Sequence, residues 1–247
     1  MGQKVNSIGF RLRHGRKWDS KWFSEKRYSS LLYKDFMTTD YLTQMFEKKK
    51  MFTSRCIIKR SLDTTYIFLH IYASEGYSQA KDTEVENLKR NLRTINNGEV
   101  ILNIVNTYST SKKLRQCVNK VSTQLPMFQK QVYFIEALDL IGTATAVQSA
   151  PLLSRYLAQQ LEVNFRHSQC IDFIKKAIPK FMAVRPNLLG IRVQWKGRLS
   201  GADRSKREVF QQGQIPLHTM NAKIDYSYRP AFTIYGTCGI KVWLCLK

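Results

Sequence analysis

The chain has 247 residues, with 40 Lys and Arg against 18 Asp and Glu, giving a formal charge of +22 and a pI near 9.9. Hydrophobic residues make up 43% and aromatics 12%, which excludes a disordered basic tail, and the length suggests about two domains. No apolar run reaches the ~18 residues of a membrane span, the five cysteines have neither disulfide-framework nor zinc spacing, and MGQKVNSIGF does not read as a secretory signal.

The charge is not spread evenly. Residues 1–60 carry a net +10 and residues 176–247 another +10, against +2 over 61–175. Two basic ends fit a protein that meets a phosphate backbone in two places, where Lys and Arg displace condensed counterions; two ordinary basic surfaces are the alternative.

Residues 1–22 are too glycine-rich and irregular for a helix and read as an arm. In it Arg11, Arg13, Arg16, Lys17 and Lys21 interleave with Phe10, Trp18 and Trp22. Guanidinium and aromatic groups together suit RNA, although Trp18 and Trp22 read better as anchors docking the arm on its own domain. Residues 27–51 read as a helix ending in Lys48, Lys49 and Lys50, which are either RNA contacts or cations complementing the helix dipole. Strands Ser54–Lys59 and Thr64–Ala73, helix Thr83–Ile95 and strand Glu99–Val105 then make a small α/β sandwich.

Residues 109–149 match no clear element. Their first half carries Lys112, Lys113, Arg115, Lys120 and Lys130; their second, Val132–Val147, is apolar. The apolar half should be buried, on a neighbouring protein or on the chain's own domains, with the basic half toward RNA. Ser149 caps a helix with Leu153, Tyr156, Leu157 and Leu161 on one face. A second helix from about Ser168 buries Ile171, Ile174, Ile178 and Met182, with a kink expected at Pro179.

The last third reads as β. In Gly190–Arg198, Ile191, Val193 and Trp195 alternate with Arg192, Gln194, Lys196 and Arg198, so helices should cover one face and leave a basic one free. Lys223–Arg229 and Ala231–Leu246 alternate similarly. Between strands, Arg198, Arg204, Lys206 and Arg207 gather around Gly197 and Gly201. Glycine allows close approach to a phosphate there, a solvated turn being the alternative.

Several of these segments resemble one family. MGQKVNSIGFRL at 1–12, GRLSGA at 197–202, IPLHT at 215–219, IDY at 224–226 and YGTCGIKVW at 235–243 are similar to the third protein of the small ribosomal subunit, bacterial type. EVENLKR at 84–90 and SRYLAQQLE at 154–162 extend the likeness through everything but 109–149. The resemblance implies an α+β protein: an N-terminal KH type II domain, and a C-terminal domain of two helices packed on a mixed β-sheet. The chain is accordingly divided into an arm and helix (1–53), the KH domain (54–108), an insertion (109–149) and a C-terminal α/β domain (150–247). It also implies a structural role in translation, bound to small-subunit rRNA in the head and lining the channel through which mRNA enters. The implied neighbours are the tenth and fourteenth small-subunit proteins in the head, and the fourth and fifth at the channel.

Two departures from the family pattern stand out. The GXXG loop that clamps nucleotides should fall at Gln79-Ala80-Lys81-Asp82, where neither glycine is present. In the channel helix, two of three unwinding cations fall at Ile171 and Asp172, leaving Lys175 with Lys176 beside it; Arg166 and His167 lie one turn earlier. The start at residue 1 with no import sequence, the altered loop, the insertion and the missing basic tail favour a mitochondrial ribosome, in the matrix, over a plastid or a bacterial cytoplasm. No membrane, cofactor or metal is expected. A nuclease or lyase would need clustered carboxylates or an activated lysine; the four histidines have no metal-ligand spacing, so an enzyme is not expected. A free RNA chaperone is the remaining alternative.

Overall fold

The computed structural model describes every residue except 1–2, 13, 50, 62–63, 74–81, 108–111, 129–133, 165, 185–187 and 247. In chain order the elements are α1 (Ser7–Arg11), β1 (Ser20–Lys21), α2 (Tyr28–Lys48), β2 (Phe52–Arg60), β3 (Thr64–Tyr72), α3 (Asp82–Asn96) and β4 (Glu99–Asn106). There follow α4 (Lys112–Thr123), α5 (Phe134–Val147), α6 (Ala150–Val163), α7 (His167–Val184), β5 (Leu188–Gly197), β6 (Lys206–Gly213), β7 (Ile224–Thr233) and β8 (Gly236–Leu246). The chain divides into two compact units: Trp18–Tyr108, and Met1–Lys17 together with Ser109–Lys247.

In the unit Trp18–Tyr108 the strands lie in the order β1-β2-β3-β4, with β2 antiparallel to β3 and β4 parallel to β3. A parallel neighbour requires a crossover, and α3 supplies it. The period of two turns Ile67, Leu69 and Ile71 of β3 and Val100 and Leu102 of β4 into one core with Leu42 and Phe46 of α2 and Leu88 and Leu92 of α3. Among the described residues this unit therefore runs helix, two antiparallel strands, helix and parallel strand. Gln79, Ala80 and Lys81 of the expected clamp loop, and the side chain of Asp82, lie outside the described residues.

Beneath α2 a buried ion pair ties this unit together. Arg60 donates to Asp35 through Nε at 2.9 Å and through Nη2 at 2.5 Å, and reaches Asn96 Oδ1 at 2.8 Å. The other Asp35 oxygen accepts the Trp22 indole N–H at 2.6 Å. Trp22 is therefore the anchor expected of it, its ring 5.3 Å from that of Tyr28, whereas Trp18 is exposed.

In the other unit the sheet order is β6-β5-β8-β7 and every pairing is antiparallel. The expected mixed sheet is thus corrected. The pairs β5–β6 and β7–β8 are joined by short loops, which allow only antiparallel neighbours. On its inner face α6 is fixed to β7 by three contacts. Asp225 Oδ2 accepts the Ala150 N–H at 2.8 Å, Glu162 Oε1 accepts the Phe232 N–H at 2.8 Å, and the Ser154 and Ser227 hydroxyls meet at 2.7 Å.

The segment without an expected element forms α4 and α5, which pack on α6 and α7 of the same unit. Phe128 and Phe134 set their rings 5.3 and 5.8 Å from Phe173 of α7. Gly142 lets α5 approach closely, since a Cβ there would lie 3.2 Å from the Phe181 ring. The two-helix domain is thereby enlarged by a second helical pair. Arg115 and Lys120 are exposed; Lys130 and the side chains of Lys112 and Lys113 are outside the described residues. Helix α7 continues through Pro179 to Val184. The arm is not irregular throughout: Asn6 Oδ1 accepts the Ile8 N–H at 2.9 Å and opens the single turn of α1. The arm also splits at Lys17, its first part belonging with strands more than 200 positions away.

Candidate nucleic-acid interface

The alternation in β5 is realised as written. Ile191, Val193 and Trp195 are buried, while Arg192, Gln194 and Lys196 face outward. Register carries that outer set across the sheet. Lys196 stands beside Arg207 of β6, Gln194 beside Lys241 of β8, and Arg192 beside Trp243. On β7, Tyr228 lies opposite Lys241 and Tyr226 opposite Trp243. The face thus holds Arg192, Lys196, Arg207 and Lys241 among three aromatic rings.

The rings and cations are in contact. Lys241 Nζ sits 5.9 Å from the Tyr228 ring centre and the Arg192 guanidinium 5.4 Å from that of Trp243. The rings of Tyr226 and Trp243 are 5.2 Å apart. Arg207 donates to Gln194 Oε1 at 3.0 Å. Arg192 Nε is buried without a hydrogen-bond partner among the described residues. Lys4, from the arm, joins this field: the charge of Arg192 holds its ammonium below the usual lysine value, with desolvation and Arg207 adding to the effect. Such a concentration of like charge is relieved by an anion.

The expected arm residues divide. Arg11, 2% exposed, donates to the carbonyls of Ser7, Pro216, Leu217, Thr219 and Ala222 at 2.8–3.2 Å. Arg16 pairs with Asp225. Arg11 is thus an internal brace, its fork of N–H donors meeting a loop of the chain's own carbonyls, and half-buried Arg16 is held by a carboxylate of the chain itself. The Trp243 indole N–H donates to Ser7 Oγ at 3.1 Å, closing the arm over one end of the outer face. Lys17 is exposed. In the other unit Lys21 and Lys48 are exposed and Lys49 is half-buried. Arg13 and Lys50 lie outside the described residues.

In the turn after β5, Arg198 donates to the Ala202 carbonyl at 2.8 Å, and Arg204 and Lys206 are exposed. Its glycines serve the chain itself rather than a phosphate. A Cβ on Gly197 would lie 2.6 Å from Cys238 Sγ, and Gly201, at φ +76°, lies under the Tyr235 ring. Of the residues expected to meet mRNA, His167 is buried. Its Nδ1 accepts the Ser200 N–H at 3.0 Å, and burial lowers its pKa against a hydrogen bond to Leu161. Lys175 pairs with Glu208 at 3.0 Å. Lys176 is exposed with its ammonium 5.3 Å from the Phe128 ring centre. Ile171 is in the core, and Asp172 and Arg166 are exposed. Among the described residues no three His, Cys, Asp or Glu side chains are placed to hold a metal ion, and no helix is long and apolar enough to cross a membrane.

Sequence reading missed Lys4, Lys241, Tyr226, Tyr228 and Trp243 as parts of this face. The run Ile240-Lys241-Val242-Trp243 carries the same alternation as β5 and was the available signal for two of them.

The family profile described as "Ribosomal protein S3, C-terminal domain" matches residues 157–244, from α6 into β8. Over 247 residues the chain is 34% identical to "Small ribosomal subunit protein uS3" of Listeria welshimeri, covering 99% of this chain and 92% of that protein. The protein of the same name in Rhodospirillum centenum is 32% identical over 244 residues, covering 99% and 89%. That of Wolbachia sp. subsp. Brugia malayi is 32% identical over 247, covering 99% and 98%. With the sheet, its basic outer face and near full-length identity in agreement, the chain belongs to the ribosomal protein S3 family, of bacterial type.

Proposed function

We propose that this chain is a structural component of the small ribosomal subunit, and that it binds rRNA through the outer face of the β6-β5-β8-β7 sheet. One observation carries the reading: Arg192, Lys196, Arg207 and Lys241 share a face with Tyr226, Tyr228 and Trp243, and Lys4 is depressed by its cationic neighbours. The cations neutralise phosphates with release of counterions, and Tyr228, the exposed ring of the three, offers a stacking surface to an unpaired base, while Trp243 is buried and braces the face from beneath the arm. Lys17, Arg198, Arg204 and Lys206, all exposed, extend the basic surface. Lys21, Lys48 and Lys49 belong to the separate unit and would meet rRNA independently.

The test is the salt dependence of binding to head rRNA. Each lost phosphate contact lowers the slope of log affinity against log salt by roughly 0.7–0.9. Replacing Lys196, Arg207 and Lys241 together by alanine should flatten the slope by about 2 without lowering the melting temperature. An unchanged slope would remove the face from the interface. Cosedimentation with small subunits separates this reading from that of a free RNA chaperone.

For mRNA at the channel, Arg166 and Lys176 are the candidates left, since His167 and Lys175 are engaged within the chain. The tenth, fourteenth, fourth and fifth small-subunit proteins are the proposed neighbours. A mitochondrial ribosome is supported by the missing glycines at 79–82 and by the added helices α4 and α5. Fractionation of organelles before the sucrose gradient tests that address.

A further inference from the structure

In the unit Trp18–Tyr108 both long helices pack on one face of the sheet, α2 on β2 and α3 on β4, and the opposite face stays open among the described residues. The alternation of the strands matches. Thr65, Ile67 and Leu69 of β3 are buried, whereas Tyr66 is exposed and Phe68 and His70 are half-buried. On β4 Val100 and Leu102 are buried, and Ile101, Asn103 and Val105 are exposed. Register sets the outer side chains in rows. Lys21 stands beside Lys59, Lys59 beside Tyr66, and Tyr66 beside Ile101. The next row brings Ile57, Phe68 and Asn103 together. Neighbouring strands lie about 4.8 Å apart, so Lys21 and Tyr66 are roughly 10 Å from each other across the sheet.

This face combines rings with available cations. The Lys59 ammonium lies 4.9 Å from the centre of the Phe68 ring. Arg55 is held by Asp19, whereas Lys21 and Lys59 meet no carboxylate among the described residues. Glu99 stands on the far edge strand, beside Thr64. Rings on an inner strand of an open sheet stack successive unpaired bases, and cations beside them take the phosphates. An apolar protein partner suits the face less, because its exposed aliphatic side chains, Ile101 and Val105, lie on the edge strand while lysines flank the inner rings. We infer that this open sheet face binds single-stranded RNA: Tyr66 stacks a base, Phe68 backs the next one, and Lys21 and Lys59 hold the phosphates between them. It is separate from the β6-β5-β8-β7 face and from positions 79–82, where the glycines of a clamp are missing. The inference goes beyond the proposed function, and either face can fail without the other.

The experiment uses the full chain carrying Lys196→Ala, Arg207→Ala and Lys241→Ala, so that the other sheet contributes little, and a labelled single-stranded RNA of about 12 nucleotides. Adding Tyr66→Ala should weaken the remaining binding on the order of ten-fold, and adding Tyr66→Phe should not. Adding Lys21→Ala with Lys59→Ala should flatten the salt slope by about 1.4, at ~0.7 for each contact to a single strand. Melting temperatures, measured in parallel, should stay the same in the lysine variant, whose two side chains are exposed. In assembled small subunits, ultraviolet cross-linking followed by ribonuclease should leave a nucleotide on the peptide that spans Thr64–Tyr72. An adduct formed without message identifies rRNA as the source, and one formed only after message is added identifies mRNA. No remaining binding in the starting variant, full affinity after Tyr66→Ala, an unchanged slope in the lysine variant, or an adduct to another protein in place of a nucleotide overturns the inference. None of these outcomes touches the β6-β5-β8-β7 face, whose own test is the slope lost on making the starting variant.

Discussion

His167 Nδ1 accepts the backbone N–H of Ser200 at 3.0 Å, and Ser200 Oγ accepts the N–H of Ser168 at 3.4 Å, so the start of α7 and the turn after β5 hold each other. Ser200 sits at φ 54°, a left-handed conformation that this pair of bonds helps to maintain. A proton on Nδ1 would remove the acceptor, and burial already holds the imidazole below its usual pKa. The unfolded chain, with an ordinary value near ~6.5, takes up the proton first as pH falls. Stability from this site is therefore complete above about pH 6.5 and is lost as pH drops toward the lower folded value. Melting curves at about pH 7.5 and about pH 5.5 should show a fall in the wild type that is smaller in His167→Gln. An equal fall in both proteins would refute the assignment.

Arg11→Ala should destabilise the unit that contains it by about 3 kcal/mol, since it takes this donor from the carbonyls of Leu217, Thr219 and Ala222 and leaves Pro216 only the Thr219 N–H. Arg11→Lys should recover little, because a single ammonium cannot reproduce the fork. Denaturant unfolding measures both variants. A near-neutral Arg11→Ala would return this residue to the list of RNA contacts.

Asp35→Ala leaves Arg60 as an unpaired buried cation and the Trp22 indole without its acceptor. The expected cost is ~3–5 kcal/mol. Adding Arg60→Leu should restore part of the loss, because the charge is then removed with its partner. A double variant as unstable as the single one would show that the pair is not the cause.

Tyr228→Ala should weaken binding to head rRNA by ~1–3 kcal/mol through the loss of one stacking surface, while Tyr228→Phe keeps it. Equilibrium titration at fixed salt decides. Wild-type affinity in the alanine variant would remove Tyr228 as a stacking contact.

The sequence made some of this visible and hid the rest for physical reasons. Alternation in Gly190–Arg198 specified both faces of β5, because a strand exposed on one side must alternate. Helix α5 escaped notice because it is covered nearly all round, so no polar stripe marks its period; even Thr143 and Thr145 are buried, donating to the carbonyls of Leu140 and Gly142 at 2.9 Å. The places of Arg11 and Arg16 were hidden because a basic residue looks the same whether it faces RNA, a carbonyl cage or a carboxylate of its own chain. Their partners, at 216–225, are remote in the chain. Tyr226 and Tyr228 became part of the candidate face only through pairing with β8, which no local pattern announces.

The hydrogen bond from Trp243 to Ser7 spans 236 positions and that from Arg11 to Ala222 spans 211. On a chain made from its N-terminus, the arm is made well before its partners. The unit Trp18–Tyr108 holds its own contacts and completes its fold while the arm has nothing to close on. Through that interval Arg11 and Arg16 remain hydrated cations, and only the arrival of β7 and β8 withdraws them from solvent. The growing chain accordingly keeps a more basic arm until β7 and β8 have been made and the clasp can close on them.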